Sequence, residues 1–342
     1  MNPVLLALVL AASPSTKLGV YVAGDDATSR ALLAGPGCPA VATFAVTSTT
    51  IPAAQVSAFR SVCPMSRIVA QVGDPGMSIV GGTLDAEWPT WSTLLGMVGW
   101  VNLDAVEGPS EPQGAAADLQ SFWTGFAVDV QQNGKVPVVG SLATGTTSSA
   151  FCPTASAIAA LGKSWTWSYH AFSTGLTESL ATESATTFGY RAIRDGCGLA
   201  GIPIYVTQAG PAIGRPWSSG DITWLAWLDA QLAVDSEVVG AALYEAGAAD
   251  RSLSPIATQL AAYLQNPTPS DGGTPDGGSD AGQSGGVASS DGTVPSGPPG
   301  NYPKTGCATT GAGVALVALL PVLALTRRRA SRLPRPMRRG AR

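Results

Sequence analysis

An α/β fold closed into a (β/α)8 barrel is the class that this sequence predicts, and three observations carry it. Short β-rich runs alternate with helical ones eight times between Lys17 and Leu264, the pattern of βα units that close into one parallel barrel of roughly 250 residues. Most of the strand runs are continuously apolar rather than alternating, as strands are when both faces are buried. No Gly-rich phosphate turn follows the first run: Gly24-Asp25-Asp26 is a turn without a dinucleotide fingerprint, which makes a doubly wound open sheet the weaker alternative.

Taken in order, the strands are expected at Leu18–Ala23, Ala40–Val46, Arg67–Val72, Val98–Val106, Val136–Ser141, Trp165–Tyr169, Ile202–Thr207 and Val238–Tyr244. Helices are expected at Asp26–Leu33, Pro52–Val62, Ala86–Met97, Ala115–Gln132, Thr154–Leu161, Glu178–Arg194 and Ile222–Val234, with Ser254–Leu264 after the last strand. Trp88, Trp91, Trp123, Trp224 and Trp227 fall in these helices and read as packing between helix and barrel.

The 342 residues are 45% hydrophobic and 12% charged, with 41 Gly and 26 Pro, a globular composition with a low-complexity piece attached. Eight of the 19 basic residues are arginines between Arg327 and Arg342, so the rest of the chain holds 11 basic against 23 acidic residues. An acidic body of this kind argues against nucleic acid as a partner. At the N-terminus, MNPVLLALVLAA reads as a secretory signal, residues 1–12, without the usual positive start. Export permits disulfides. Cys38 and Cys63 each precede an apolar run read as adjacent strands and are a plausible bridge; Cys152 and Cys197 have less support, because they fall at opposite ends of the expected barrel. One histidine and no CxxC spacing speak against zinc, and no cofactor is expected.

Residues 13–265 are thus expected to form the barrel. Residues 266–304 turn to Pro, Gly, Ser, Thr and Asp, too poor in apolar residues to offset ordering entropy, and read as a spacer. Ala308 to Leu325 follows as 18 residues without a charge, closed by Thr326-Arg327-Arg328-Arg329. That is just long enough to cross a bilayer with arginines on the cytoplasmic side, which makes the membrane an expected partner.

The stretch that organises the chain is Trp100 to Gln113, WVNLDAVEGPSEPQ. An apolar run delivers acids into a Gly/Pro-stiffened turn before a helix, and in a βα-barrel the active site forms on such loops at the C-terminal ends of the strands. Glu111 is the first candidate. The plainer reading makes it a first-turn acid favourable to the helix dipole, with Ser110 as N-cap. His170 is the only histidine, and no G-x-S-x-G elbow accompanies it, so a Ser-His-Asp hydrolase is disfavoured.

Two resemblances rest on these residues. Thr305-Gly306-Cys307, a short apolar span and an arginine cluster resemble the C-terminal sorting signals of myxobacterial surface proteins. That resemblance implies processing by a sortase-like protease near Cys307, with this cysteine as the anchor at the cell envelope. The segment VEGPSEPQ resembles the acid/base segment of clan A glycoside hydrolases, which implies a polysaccharide or oligosaccharide as partner. On that likeness Glu111 is the acid/base and Ser110 stands where the clan has Asn. Ile202–Pro211 resembles the nucleophile segment, with Gln208 where the clan has Glu. An amide cannot form the covalent ester intermediate. Glu245 is the candidate substitute, since an inverting pair needs carboxyls only ~6.5–9.5 Å apart; Glu107 lies in the same loop as Glu111. Trp167, Tyr169, His170 and Tyr244 are candidates to contact sugar, against core packing for Trp167, barrel-top packing for the two tyrosines, and for His170 either an ordinary partly buried histidine or one that orients the acid. A glycoside hydrolase-like protein held at the envelope is the first expectation, a catalytically silent glycan-binding module the second, and a purely structural envelope component the third.

Overall fold

The computed structural model of the chain describes residues 15–35, 37–212, 215–246 and 252–267. Eight parallel strands close into a barrel: β1 (Leu18–Val22), β2 (Val41–Val46), β3 (Arg67–Val72), β4 (Ala105–Glu107), β5 (Val136–Leu142), β6 (Thr166–Ser173), β7 (Ile204–Pro211) and β8 (Val238–Ala246). Each pairs with the next, and β8 returns to β1 through Leu18 opposite Ala241. The predicted (β/α)8 barrel is therefore present. Among the described residues the helices of eight or more residues are α1 (Ala27–Ala34), α2 (Ala53–Val62), α3 (Thr83–Val98), α4 (Ala116–Gln132), α5 (Ser148–Ala159), α6 (Gly189–Cys197), α7 (Ile222–Val234) and α8 (Ala257–Gln265).

Two packed layers follow from strand alternation. Tyr21, Val41, Val69, Ala105, Val138, Tyr205 and Ala242 fill the inside of the barrel. The opposite faces of the same strands pack against the helices in one continuous core. Around α3 and α4, Phe126 meets Trp88, Trp91, Phe122 and Trp123 with ring centroids 5.6–6.5 Å apart. This cluster supports β4 directly. A Cβ on Gly108 would lie 2.7 Å from the Trp123 ring, so only glycine lets the strand end pass so close.

Three expectations are corrected. The apolar run Val98–Val106 is not one strand: α3 continues to Val98 and stops at Gly99, whose φ of 96° only glycine adopts freely. Trp100–Asn102 is a single 3₁₀ turn, leaving three residues for β4. The helix expected over Glu178–Arg194 is broken, because Ser173, Thr177, Thr186 and Thr187 turn the chain around the buried Glu183. Cys152 and Cys197 are not at opposite ends; they are bonded, the first turns of α5 packing beside the end of α6. Cys38 and Cys63 are bonded as well. Two disulfides are the cysteine usage of an extracellular protein.

No helix among the described residues is long and apolar enough to cross a membrane. The signal-like residues 1–12, the spacer from 268, Cys307 and the apolar segment 308–325 lie outside the described residues.

Candidate active site

The C-terminal ends of the strands carry an unusually polar floor. Glu107 ends β4 with its side chain inside the barrel and no exposure to solvent. Its Oε1 accepts from Ser168 Oγ at 2.6 Å and Thr207 Oγ1 at 2.8 Å, and its Oε2 accepts from Gln71 Nε2 at 2.9 Å. Gln71 is oriented in turn by the Tyr21 hydroxyl, which donates to its Oε1 at 2.6 Å. Burial pushes the Glu107 carboxyl above the usual range, while the His170 ring and the hydroxyls of Ser168, Thr207 and Ser141 hold it down in part. Burial also pushes the Tyr21 phenol up, with Tyr244, Glu245 and Glu107 adding to the effect.

Above this floor sits Glu111, on a loop clamped from three sides. Gly76 N–H donates to Ser110 O at 2.8 Å, Glu111 N–H donates to Ser141 O at 3.1 Å, and Ser78–Ile79 pairs in parallel with Gln113–Gly114. Glu111 and Ser141 both hold positive φ, 49° and 44°, outside the ordinary range for residues with a Cβ. Such backbone persists only where its surroundings enforce it, and it concentrates at functional sites. Here the two strained residues are bonded to each other. Helix α4 starts five residues after Glu111, with Ala115 at the cap and Asp118 as its first-turn acid. The plain capping role for Ser110 and Glu111 is thereby excluded.

Glu111 Oε1 lies 2.7 Å from His170 Nδ1, and His170 Nε2 lies 3.2 Å from Ser141 Oγ. The histidine is fully buried, whereas 36% of the Glu111 side chain is exposed. A pocket of about 220 Å³ opens beside Glu111, lined by Glu111, Gln113, Trp123, Ser141 and Phe151 among others.

Gln208 reaches the same mouth and donates to Ser110 Oγ at 3.2 Å. Its position follows from an irregularity: Tyr169 pairs with Val206 but His170 pairs with Gln208, so β7 has an extra residue. A bulge of this kind aims two successive side chains where a regular strand would aim one; Thr207 turns to Glu107 and Gln208 to Ser110. Glu245, at the end of β8, is 6% exposed. Beside it the Tyr244 ring lies 5.0 Å from Tyr21 and 5.8 Å from Phe172, an aromatic lip to the mouth. Trp217 Nε1 braces this lip by donating to Tyr244 O at 2.7 Å.

Two expected sugar contacts are overturned. Trp167 and Tyr169 are fully buried on the outer face of β6: Trp167 stacks on Phe151, and the Tyr169 hydroxyl donates to Thr186 O at 2.6 Å. Alternation decides this, because Ser168 and His170 point into the barrel and their neighbours must point out. The same parity places Phe172 on the mouth side with His170, and reading the sequence missed it. It also missed Gln71, Ser141, Ser168 and Thr207 around Glu107; Ser168 and His170 two apart on one strand were the available signal.

Among the described residues no group of three or more His, Cys, Asp or Glu side chains is placed to hold a metal ion. The fold and the mouth define a (β/α)8 barrel whose candidate site is an acid–histidine pair over a sealed second acid. No family model and no curated protein matches the chain. Among solved structures the chain is similar to an endo-1,4-beta-mannanase from Eisenia fetida, with TM-score 0.45 and 12% identity, over 73% of this chain and 91% of that one. It is also similar to a GH30 endoxylanase from Clostridium papyrosolvens C71, with TM-score 0.47 and 10% identity, over 76% and 75%. A double mutant of the Cellulomonas fimi endo-beta-1,4-mannanase gives TM-score 0.47 and 12% identity, over 75% and 72%. The barrel assignment stands on the chain's own strand order and register, and the site on its own geometry.

Proposed function

We propose that this protein is a glycoside hydrolase-like barrel that takes a polysaccharide at the mouth formed by Glu111, His170, Gln208 and Tyr244. Anchorage at the cell envelope through Cys307, after processing by a sortase-like protease, belongs to the same reading and rests on the C-terminal sequence. The observation that carries the proposal is the Glu111–His170 pair at 2.7 Å, partly open to solvent, on a loop whose backbone is held in strain. A carboxyl so placed can protonate a glycosidic oxygen, a role worth about 10²–10⁴-fold in rate. The exposed Gln113 beside Glu111 offers hydrogen bonds to sugar hydroxyls, Ser110 and Gln208 being nearly buried against each other, and the Tyr244–Phe172 lip offers ring faces.

Retention through a covalent intermediate requires a second carboxylate about 5–5.5 Å from the first. Gln208 is an amide, Glu107 is sealed under three donors, and Glu245 is 6% exposed. These positions favour a second reading, glycan binding without turnover. Hydrolysis and binding over a panel of neutral polysaccharides separate the two. Turnover by the natural chain that is lost in Glu111→Gln, with binding kept, establishes hydrolysis. Binding without turnover, with turnover appearing in Gln208→Glu, establishes a silent descendant. If no glycan binds the natural chain or either variant, the proposal is wrong.

A further inference from the structure

The pocket of about 220 Å³ beside Glu111 lies between the first turns of α4 and α5. His170, Gln208 and Tyr244 take no part in its lining, so it is a side chamber rather than the mouth itself. Its walls are largely apolar, with Leu119 and Trp123 from α4 and Ala150 and Phe151 from α5. Among the described residues no lysine or arginine lines it, and Glu111 brings the one carboxyl, so an anionic group entering it meets repulsion and no counter-charge. Thr154 lines it too. That residue is 4% exposed, and its hydroxyl bonds no other group among the described residues. Buried polar groups are nearly always hydrogen-bonded, so a hydroxyl left single beside an apolar space marks a place for a ligand's polar atom.

We propose that this pocket takes an O-acyl group carried by the glycan, the acyl carbonyl accepting from the Thr154 hydroxyl and the carbon chain lying against Leu119, Trp123 and Phe151. The inference rests on the function proposed above and deepens it, because it makes the ligand an acylated glycan. Glu111 belongs both to this pocket and to the pair with His170 at 2.7 Å, so a sugar ring held at Glu111 has its substituents within reach of the chamber. A further sugar unit suits the lining poorly. Each ring brings several hydroxyls that lose water on entry, and apolar walls give them nothing in return. An ester brings an acceptor and no donor, which one hydroxyl satisfies. Its methyl or longer chain gains from burial against the same walls. The volume is many times the ~10–15 Å³ that holds one water, so the chain has room to extend beyond a methyl.

Neutral oligosaccharides in acetylated form, and the same preparations after alkaline deacetylation, are titrated into the full-length protein by calorimetry. The acetylated form is expected to bind about tenfold tighter. Thr154→Val keeps the shape of the side chain without its hydroxyl and is expected to reduce that preference about 2–10-fold. Ala150→Phe fills the chamber from its exposed edge and is expected to abolish the preference; either variant carries the test if the other fails to fold. Equal affinity for the two forms, or a preference unchanged in these variants, overturns the inference and leaves the proposed function standing. If no oligosaccharide binds in either form, ethyl butanoate alone is titrated into ¹⁵N-tryptophan-labelled protein, with the Trp123 indole signal assigned through Trp123→Phe. A shift of that signal that is absent from Ala150→Phe keeps the acyl pocket and sinks the glycan reading. No shift sinks both.

Discussion

The two ends of the barrel treat their acids differently. At the N-terminal ends of the strands, carboxylates meet guanidinium groups: Asp104 takes Arg60 at 2.5 Å, and Asp235 takes Arg191 at 2.8 Å and Arg194 at 3.3 Å. Asp229 there ties the segment before β1 to α8, accepting from Lys17 N–H at 2.6 Å, Thr16 at 2.7 Å and Tyr263 at 2.9 Å. At the C-terminal mouth, Glu107 and Glu111 meet hydroxyls, an amide and a single imidazole. A guanidinium stays charged and pins a carboxylate in its ionised form. Hydroxyls and an imidazole leave a proton free to move. Around β4, then, Asp104 below the strand is held by a guanidinium, whereas Glu107 and Glu111 above it are held by groups that leave a proton free to move, as expected when barrel chemistry sits at the strand C-termini; elsewhere on that face Asp25 and Asp221 do meet Arg30 and Arg215.

Variants can break that division, beginning with the largest expected effect. If turnover is detected on any glycan, Glu111→Gln is expected to lower it about 10²–10⁴-fold with little change in melting temperature. Phe126→Ala empties the aromatic cluster behind β4 and is expected to destabilise the fold by about 3–5 kcal/mol in denaturant titration. At the base, Arg60→Ala removes a partly exposed partner of Asp104 and is expected to cost about 1 kcal/mol while glycan affinity, by calorimetry, stays within error. A base variant that abolished binding would erase the distinction between the ends.

The two most buried acids of the mouth and its flank sharpen the comparison through pH. Burial pushes Glu183 up, but Ser173, Thr187, Thr186 and the Thr177 backbone donate to it and leave it below the usual range. Its stabilisation is present above the unfolded pKa and is lost as pH falls through the folded one. Glu183→Gln should therefore destabilise most near neutral pH, by about 1–3 kcal/mol, and the gap should close in acid. Glu107 runs the other way, since burial leaves it raised. Its contribution is present below the unfolded pKa and is lost as pH rises through the folded one, so the natural protein should lose stability relative to Glu107→Gln on that rise. Chemical denaturation across pH reads both slopes.

The barrel was legible because eight apolar runs alternate with helical ones, and a continuous run needs no knowledge of which face is in. The site was legible only where loop chemistry betrayed it, in Glu111 after Gly108-Pro109. Parity was the missing step: Trp167, Tyr169 and His170 were expected to share one ligand, yet adjacent strand residues face opposite layers. Glu107 was read as loop because the apolar run ahead of it looked long enough to be the strand. With the helix ending at Gly99 and a turn following it, the strand begins only at Ala105 rather than Val98 and extends to Glu107, which faces inward. Thr207 and Gln208 both reach the interior only through a bulge, which no periodicity announces.

Oligosaccharide titration into the ¹⁵N-histidine-labelled chain puts the mouth itself to the test. Neutral oligosaccharides that bind should shift the His170 resonances in proportion to occupancy, and Glu111→Gln should change the size of that shift. Saturating binding that leaves both imidazole nitrogens unmoved would place the ligand elsewhere and contradict the assignment of this site.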